Sequence, residues 1–394
     1  MATITAAVDS AAYGDTVLVH SGGSPYTQAS GETFPIALKN GVTLTAVESH
    51  VVDVCREVPL GGVRGSVLTC TGVDSTAVVN GINFRFGDYD EAWPPESPVF
   101  ECVNSSPRIS DCYFKGTASS TDGAGVLCTN SSPRFDECWF HDNENTTGVG
   151  GAGCLIQNAS RALFARCRFS ENLGLLGGGV RVDSTSEAGF DRCWFDNNVG
   201  NMGGGAIYNE GSVALSSCTL ARNSTGAQNE GSALHCFDGA SCSIDACLIA
   251  HNDGSLPVVC GESVAISISS TDIYEPLMDP WAGNIASEYG YSNDNFYAEP
   301  FFTDLEGSWL NLFDNSPCLP GLSPSGELVG CFDAAVYSYA PKTLLVPSEY
   351  ATIGEAMAAA TATDTIRVSE GTYCYDETFP LRLHSGWCCW GRVR

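Results

Sequence analysis

Along residues 99–260 the pattern of apolar and polar positions repeats. One phrase recurs six times, apolar at its first position, cysteine at its fourth and bulky apolar at its sixth. It reads ISDCYF (Ile109–Phe114), FDECWF (Phe135–Phe140), FARCRF (Phe164–Phe169), FDRCWF (Phe190–Phe195), LSSCTL (Leu215–Leu220) and IDACLI (Ile244–Ile249). The central cysteines are Cys112, Cys138, Cys167, Cys193, Cys218 and Cys247, spaced 26, 29, 26, 25 and 29 residues apart. A period of that size marks stacked supersecondary units. A second short apolar run precedes each phrase (Val99–Cys102, Val126–Cys128, Cys154–Ile156, Val180–Val182, Ala206–Tyr208 and Ala233–Cys236), and a seventh, Val258–Cys260, follows the last. Asn/Ser/Pro turns join the two, and Gly-rich turns such as Gly177–Gly179 and Gly203–Gly205 follow. Residues two apart on a strand share a face. Cys138 and Phe140 are therefore predicted inside, Glu137 and Trp139 outside. Two or three short strands in each repeat make the perimeter of a parallel β-helix, whose coils stack about 4.8 Å apart.

The flanks follow the same logic. Ile4, Ala7, Val8 and Ala11 share one helical face, so residues 3–12 predict a short helix that covers the open end of the first rung. An asparagine lies five residues after most phrase cysteines (Asn143, Asn172, Asn198, Asn223 and Asn252), with Thr117 in the first repeat. Such a file is expected to hydrogen-bond within itself and to corner backbone. Stacked cysteines at the strand spacing have parallel Cβ vectors, which suits small hydrophobes better than disulfides. Cys318 and Cys331, bracketing a Pro/Gly-rich loop, are the one predicted disulfide. Asn-X-Ser/Thr triplets at Asn104, Asn130 and Asn158 read first as turns.

The chain has 394 residues, 46 Asp+Glu against 18 Lys+Arg, and a net charge of −28. That balance argues against nucleic acid and against anionic lipid as partners. No run is long and apolar enough to enter a membrane. The 19 cysteines show no paired zinc spacing. No metal ligand set or cofactor is expected, though an acidic surface leaves calcium open.

The opening Thr3–Val8, Gly14-Asp15-Thr16-Val17-Leu18-Val19 and Phe34-Pro35-Ile36-Ala37-Leu38-Lys39-Asn40-Gly41-Val42, with the closing Glu299-Pro300-Phe301-Phe302 and Ser316-Pro317-Cys318-Leu319, resembles secreted bacterial right-handed parallel β-helix repeat proteins of the pectate-lyase-like superfamily. The resemblance implies a right-handed, single-stranded, all-β solenoid over 1–335, with its closing coil and cap at 299–335. It also implies secretion or a place at the cell surface, with a signal peptide lost from a truncated front. Residues 350–368 repeat residues 1–19 at an offset of 349, and Leu344–Glu349 has no counterpart before Met1. Residues 342–394 are thus expected to be the truncated start of a second β-helix, its last residues frameshifted. The superfamily's catalytic signatures (Asn-Thr-Asp, Gly-His-Gly and Arg-Ile-Lys of polygalacturonases, Asp-Pro-His-Glu of alginate epimerases) do not occur.

Candidate chemistry lies beside the cysteines. Asp111, Tyr113, Glu137, Trp139, Arg166, Arg168, Arg192 and Trp194 form an outward strip of acids, arginines and aromatics. Rings that stack on sugars and arginines that pair with carboxylates suit a polysaccharide or cell-surface glycan. The same ladder would also stabilise a bare sheet face by about 0.2–1 kcal/mol per pair. Asp111 and Glu137, about 5 Å apart on neighbouring coils, with Arg166 beside them, are the weaker catalytic alternative: a hydrolase or lyase acting on an acidic polysaccharide. The favoured reading is non-catalytic: structural, adhesive or glycan-binding. Exposed end coils leave end-to-end self-association open.

Overall fold

The structure, a computed structural model, describes residues 3–57, 65–87, 97–116, 123–145, 148, 150–227, 230–254, 256–276, 285, 293–303, 310–332, 343–346, 348, 350–359 and 365–368. Most of the expected second unit, the Pro-rich excursion after Gly87 and the stretch around Trp281 lie outside the described residues.

Three parallel sheets of ten, nine and nine strands run the length of a solenoid, with a four-stranded ribbon at one corner. A representative coil passes through Val126–Thr129 (sheet C), Arg134–Asp136 (sheet A), Trp139–His141 (sheet B) and Glu144–Asn145 (the ribbon). The next coil repeats that order in register. Leu127 pairs with Leu155, Phe135 with Phe164 and Phe140 with Phe169.

The corners are single residues in the left-handed region. Asp111, Glu137, Arg166, Arg192, Ser217, Ala246 and Ser270 all have φ between 50° and 55°, and each stands one residue before the cysteine or its successor. This corrects the reading of the phrase as one straight strand. A straight strand would align Asp136, Cys138 and Phe140. The bend at Glu137 shifts the parity, so Phe135, Cys138 and Phe140 all point inward and are at most 1% exposed. Phe135 and Phe140 belong to different sheets and meet edge-on at 5.4 Å. Phenylalanines stack coil on coil at 5.4, 4.5 and 4.7 Å from Phe114 through Phe140 and Phe169 to Phe195.

The six phrase cysteines are free, buried thiols. They do more than fill space. The corner amides of Cys193 and Cys218 donate to Sγ of Cys218 and Cys247, one coil on. Thr271 and then Asn295 continue the file with oxygen acceptors. Burial pushes the thiols of Cys138, Cys193 and Cys247 well up, which keeps them protonated.

The asparagine file forms as expected. Asn143, Asn172, Asn198, Asn223 and Asn252 are at most 5% exposed, and each Nδ2 of the first four donates to Oδ1 of the next at 2.7–3.0 Å. Glu275 takes the following rung, accepting from Asn252 N–H at 2.8 Å. Gly-rich turns close each coil where backbones nearly touch. A Cβ at Gly205 would collide with the Ser232 carbonyl.

At the front, helix Ile4–Ser10 buries Ile4 and Val8 against the first rung. Thr3 Oγ1 caps it, the Glu32 carboxylate receives the amides of Ile4 and Thr5 at 2.7 and 2.8 Å, and Lys39 Nζ meets the Ala11 carbonyl at 2.6 Å. Negative and positive charges thus sit at the ends the helix dipole favours. At the back, Asn295 continues the ladder, but 302–332 do not simply cap the coil end. Phe302, Leu310, Leu312, Cys318 and Val329 pack with Ala221, Leu248, Ala250 and Tyr274, which face outward from sheet B. The predicted Cys318–Cys331 disulfide is absent: both thiols are free. Cys318 Sγ instead meets Asp272 Oδ2 at 3.4 Å, while the Cys331 amide donates to Thr219 Oγ1. The two sulfurs serve different neighbours.

Candidate functional site

Sheet B changes character along its outer face. Tyr113, Lys115, Trp139 and His141 stand half-exposed on the early coils; Thr219, Ala221, Leu248 and Ala250 are buried on the late ones. The closing segment covers the late half and stops beside Trp194. A strap from Leu319 to Phe332 forms the opposite wall of a cavity of 740 Å³, floored by Trp139, Arg168 and Trp194 and edged by Glu137, Arg166 and Arg192. Gly330 holds the strap in place. Its φ is +98°, its amide donates to the Ala246 carbonyl at 2.9 Å, and a Cβ there would strike Phe332 and Thr219.

Six of the eight strip residues border this cavity; Asp111 and Tyr113 do not. They divide into two files. Asp111, Glu137, Arg166 and Arg192 occupy the corner ridge, and Tyr113, Trp139, Arg168 and Trp194 occupy the sheet. On the ridge, Arg166 Nε pairs with Glu137 Oε1 at 2.8 Å with both side chains more than half exposed. Arg192 is exposed. Asp111 turns to His50, Nε2 to Oδ1 at 2.6 Å.

Arg168 was expected among the ligand-facing groups, but it is only 9% exposed. Its guanidinium lies between the two indoles, 5.0 Å from Trp139 and 4.8 Å from Trp194. It also pairs with Asp196 at 3.2 Å, and Asp196 accepts Arg222 Nη2 at 2.7 Å. Burial lowers the Arg168 pKa and the Asp196 charge opposes that. Arg168 therefore fixes the spacing of the two rings, and its charge is already satisfied. Trp139 Nε1 donates to Ser170 Oγ at 2.6 Å. Tyr113 sits edge-on to Trp139 at 5.3 Å, and burial, with Asp142 and Glu171 nearby, pushes its phenol up to about 12.

The sequence reading missed His50 and the strap residues. The strap had a visible signal: the position after the cysteine runs Tyr113, Trp139, Arg168, Trp194 and then Thr219, Leu248, which marks where the outer face becomes covered. His50 had none. Among the described residues no group of three or more His, Cys, Asp or Glu stands close enough to hold a metal ion.

Residues 99–249 match the family model described as "Right handed beta helix region". The fold is a right-handed parallel β-helix. Among solved structures, that of the PL6 family alginate lyase AlyGC aligns with 93% of this β-helix chain at 11% identity and a TM-score of 0.32. The alignment spans 63% of that enzyme's own chain. No curated protein matches the β-helix chain.

Proposed function

We propose that the protein is a secreted or cell-surface β-helix module that holds a polysaccharide in the groove between sheet B and the strap, without cleaving it. The observation that carries this reading is the pair of tryptophans spaced by a buried guanidinium on the floor of an open cavity. Sugar ring faces stack on fixed indoles at little entropic cost. Arg166 and Arg192 at the rim supply donors for hydroxyls or uronic-acid carboxylates. Hydrolysis is the less favoured reading. Asp111 is engaged by His50 and lies off the cavity, and Glu137 is engaged by Arg166, so the two carboxylates do not face one position in the groove.

The test is a panel of acidic and neutral polysaccharides assayed with and without calcium. Retention by one class, weakened at least about tenfold in Trp139→Ala, supports the module. New reducing or unsaturated ends would replace it with the catalytic reading. Failure of every glycan to bind would end both.

A further inference from the structure

The outward file on sheet B that carries Trp139, Arg168 and Trp194 continues through Thr219 and Leu248 and ends at Asp272. Asp272 opens the last strand of that sheet, Asp272–Tyr274, and is wholly buried under the closing segment. The strand beside it offers only Leu248 and Ala250 in register. What faces the carboxyl comes from the closing segment. Oδ1 accepts the Ala298 amide at 3.0 Å, and Oδ2 lies 3.4 Å from Cys318 Sγ. The Glu299 carboxylate is also near, and His251 Nε2 engages it at 3.1 Å. The Tyr274 phenol stands on the same strand. Among the described residues no arginine or lysine pairs with Asp272.

A carboxylate there would exchange water for one amide and a thiol, with a second carboxylate beside it. Burial raises Asp272 well above its ordinary value; the Ala298 amide and the thiol oppose the rise and the Glu299 charge adds to it. Burial and Asp272 push the Cys318 thiol up in turn. The contact reaches the groove through Cys318. Its carbonyl accepts the Val329 amide at 2.8 Å, and the next two amides, of Gly330 and Cys331, donate to the Ala246 carbonyl and Thr219 Oγ1. These bonds attach the strap that walls the cavity.

We propose that Asp272 and Cys318 form a proton-operated latch on the strap: with Asp272 neutral the closing segment stays seated on sheet B and the groove keeps its second wall, and loss of that proton lifts the segment and opens the groove. The sign follows from linkage. With the segment lifted, Asp272 meets water and ionises at its ordinary 3.8; seated, it keeps its proton to higher pH. Seating therefore takes up a proton. It is fully favoured below the ordinary value and weakens as pH rises toward the seated one, by up to about tenfold in the opening equilibrium per pH unit. The latch concerns the strap alone and holds whether or not the groove binds a glycan.

Hydrogen exchange of the full chain between about pH 5 and 8, corrected for the intrinsic effect of pH on exchange, reads the opening. The Gly330 and Cys331 amides are expected to be less protected than the ladder amides of Asn172 and Asn198, and to lose protection by up to about tenfold per pH unit. Asp272→Asn keeps an acceptor for the Ala298 amide and removes the titration, so strap protection becomes independent of pH. Asp272→Thr, which repeats the residue the file carries at 219, removes the titration with a different shape should asparagine perturb folding. Glu275→Gln, at the other buried carboxylate, leaves the strap's slope in place. Strap protection that ignores pH in wild type, strap and ladder amides equally protected throughout, or a slope that survives both Asp272 variants or vanishes in Glu275→Gln overturns the proposal.

Discussion

An asparagine inside the coil is worth having because corner backbone would otherwise stay unpaired. Asn198 Nδ2 donates to the Phe169 carbonyl at 2.9 Å, and its Oδ1 accepts the Asn172 amide at 3.1 Å. Asn198→Ala strands both groups, each at about 1–3 kcal/mol. A loss of about 3 kcal/mol is expected in urea unfolding; an unchanged midpoint would show that water replaces the side chain. The arginines divide by the same reasoning. Arg168→Ala leaves Asp196 with Arg222 as its remaining partner and loosens both indoles, a cost of about 2 kcal/mol, whereas exposed Arg192→Ala stays within about 0.5 kcal/mol. Comparable losses in the two would contradict the assignment of one to structure and the other to the rim.

Contacts inside the solenoid join residues one coil apart, so the elements that make them announce themselves as a period. The phrase cysteines, the asparagine file and the first strand of each coil were all legible for that reason, and the helix at the front showed through its own helical spacing of Ile4, Ala7, Val8 and Ala11. The bend at Glu137 was not. A left-handed corner needs no particular side chain when glutamate, arginine, serine and alanine all occupy it. The strap was hidden for a different reason. Cys331 finds Thr219 across 112 residues, and the contact has no repeat to betray it. The cavity therefore gained a wall that the outward strip alone could not supply, and Arg168 lost a role that the strip had given it. The strap's attachment is testable through Leu312, which is 2% exposed in the cluster beside Trp194. Leu312→Ala is expected to cost about 2–4 kcal/mol, and to speed hydrogen exchange at the Gly330 and Cys331 amides more than at the ladder amides. Uniform acceleration would mean that strap and coils open as one unit.

For the whole molecule, the dominant electrostatic fact is an excess of 28 negative charges. Their mutual repulsion opposes the compact state and weakens as carboxylates protonate. Two buried carboxylates add to this with the same sign. Burial raises Asp272 well above its ordinary value, and it raises Glu275 to about 7, while hydrogen bonds from Asn252 partly offset the latter. A folded pKa above the unfolded one means that the native state binds the proton more tightly. Glu275 therefore contributes its full stabilisation below its unfolded value of 4.5 and loses it as pH rises through about 7. The contribution is about 3 kcal/mol. The thermal midpoint is thus expected to climb as pH falls from weakly alkaline toward 5, the reverse of a protein held together by exposed ion pairs. Glu275→Gln keeps an acceptor for the Asn252 amide and removes the titration, so its midpoint should vary less over that window. If wild type and variant track one another at low salt and both flatten in high salt, the general charge excess, and not the last rung of the ladder, sets the pH response.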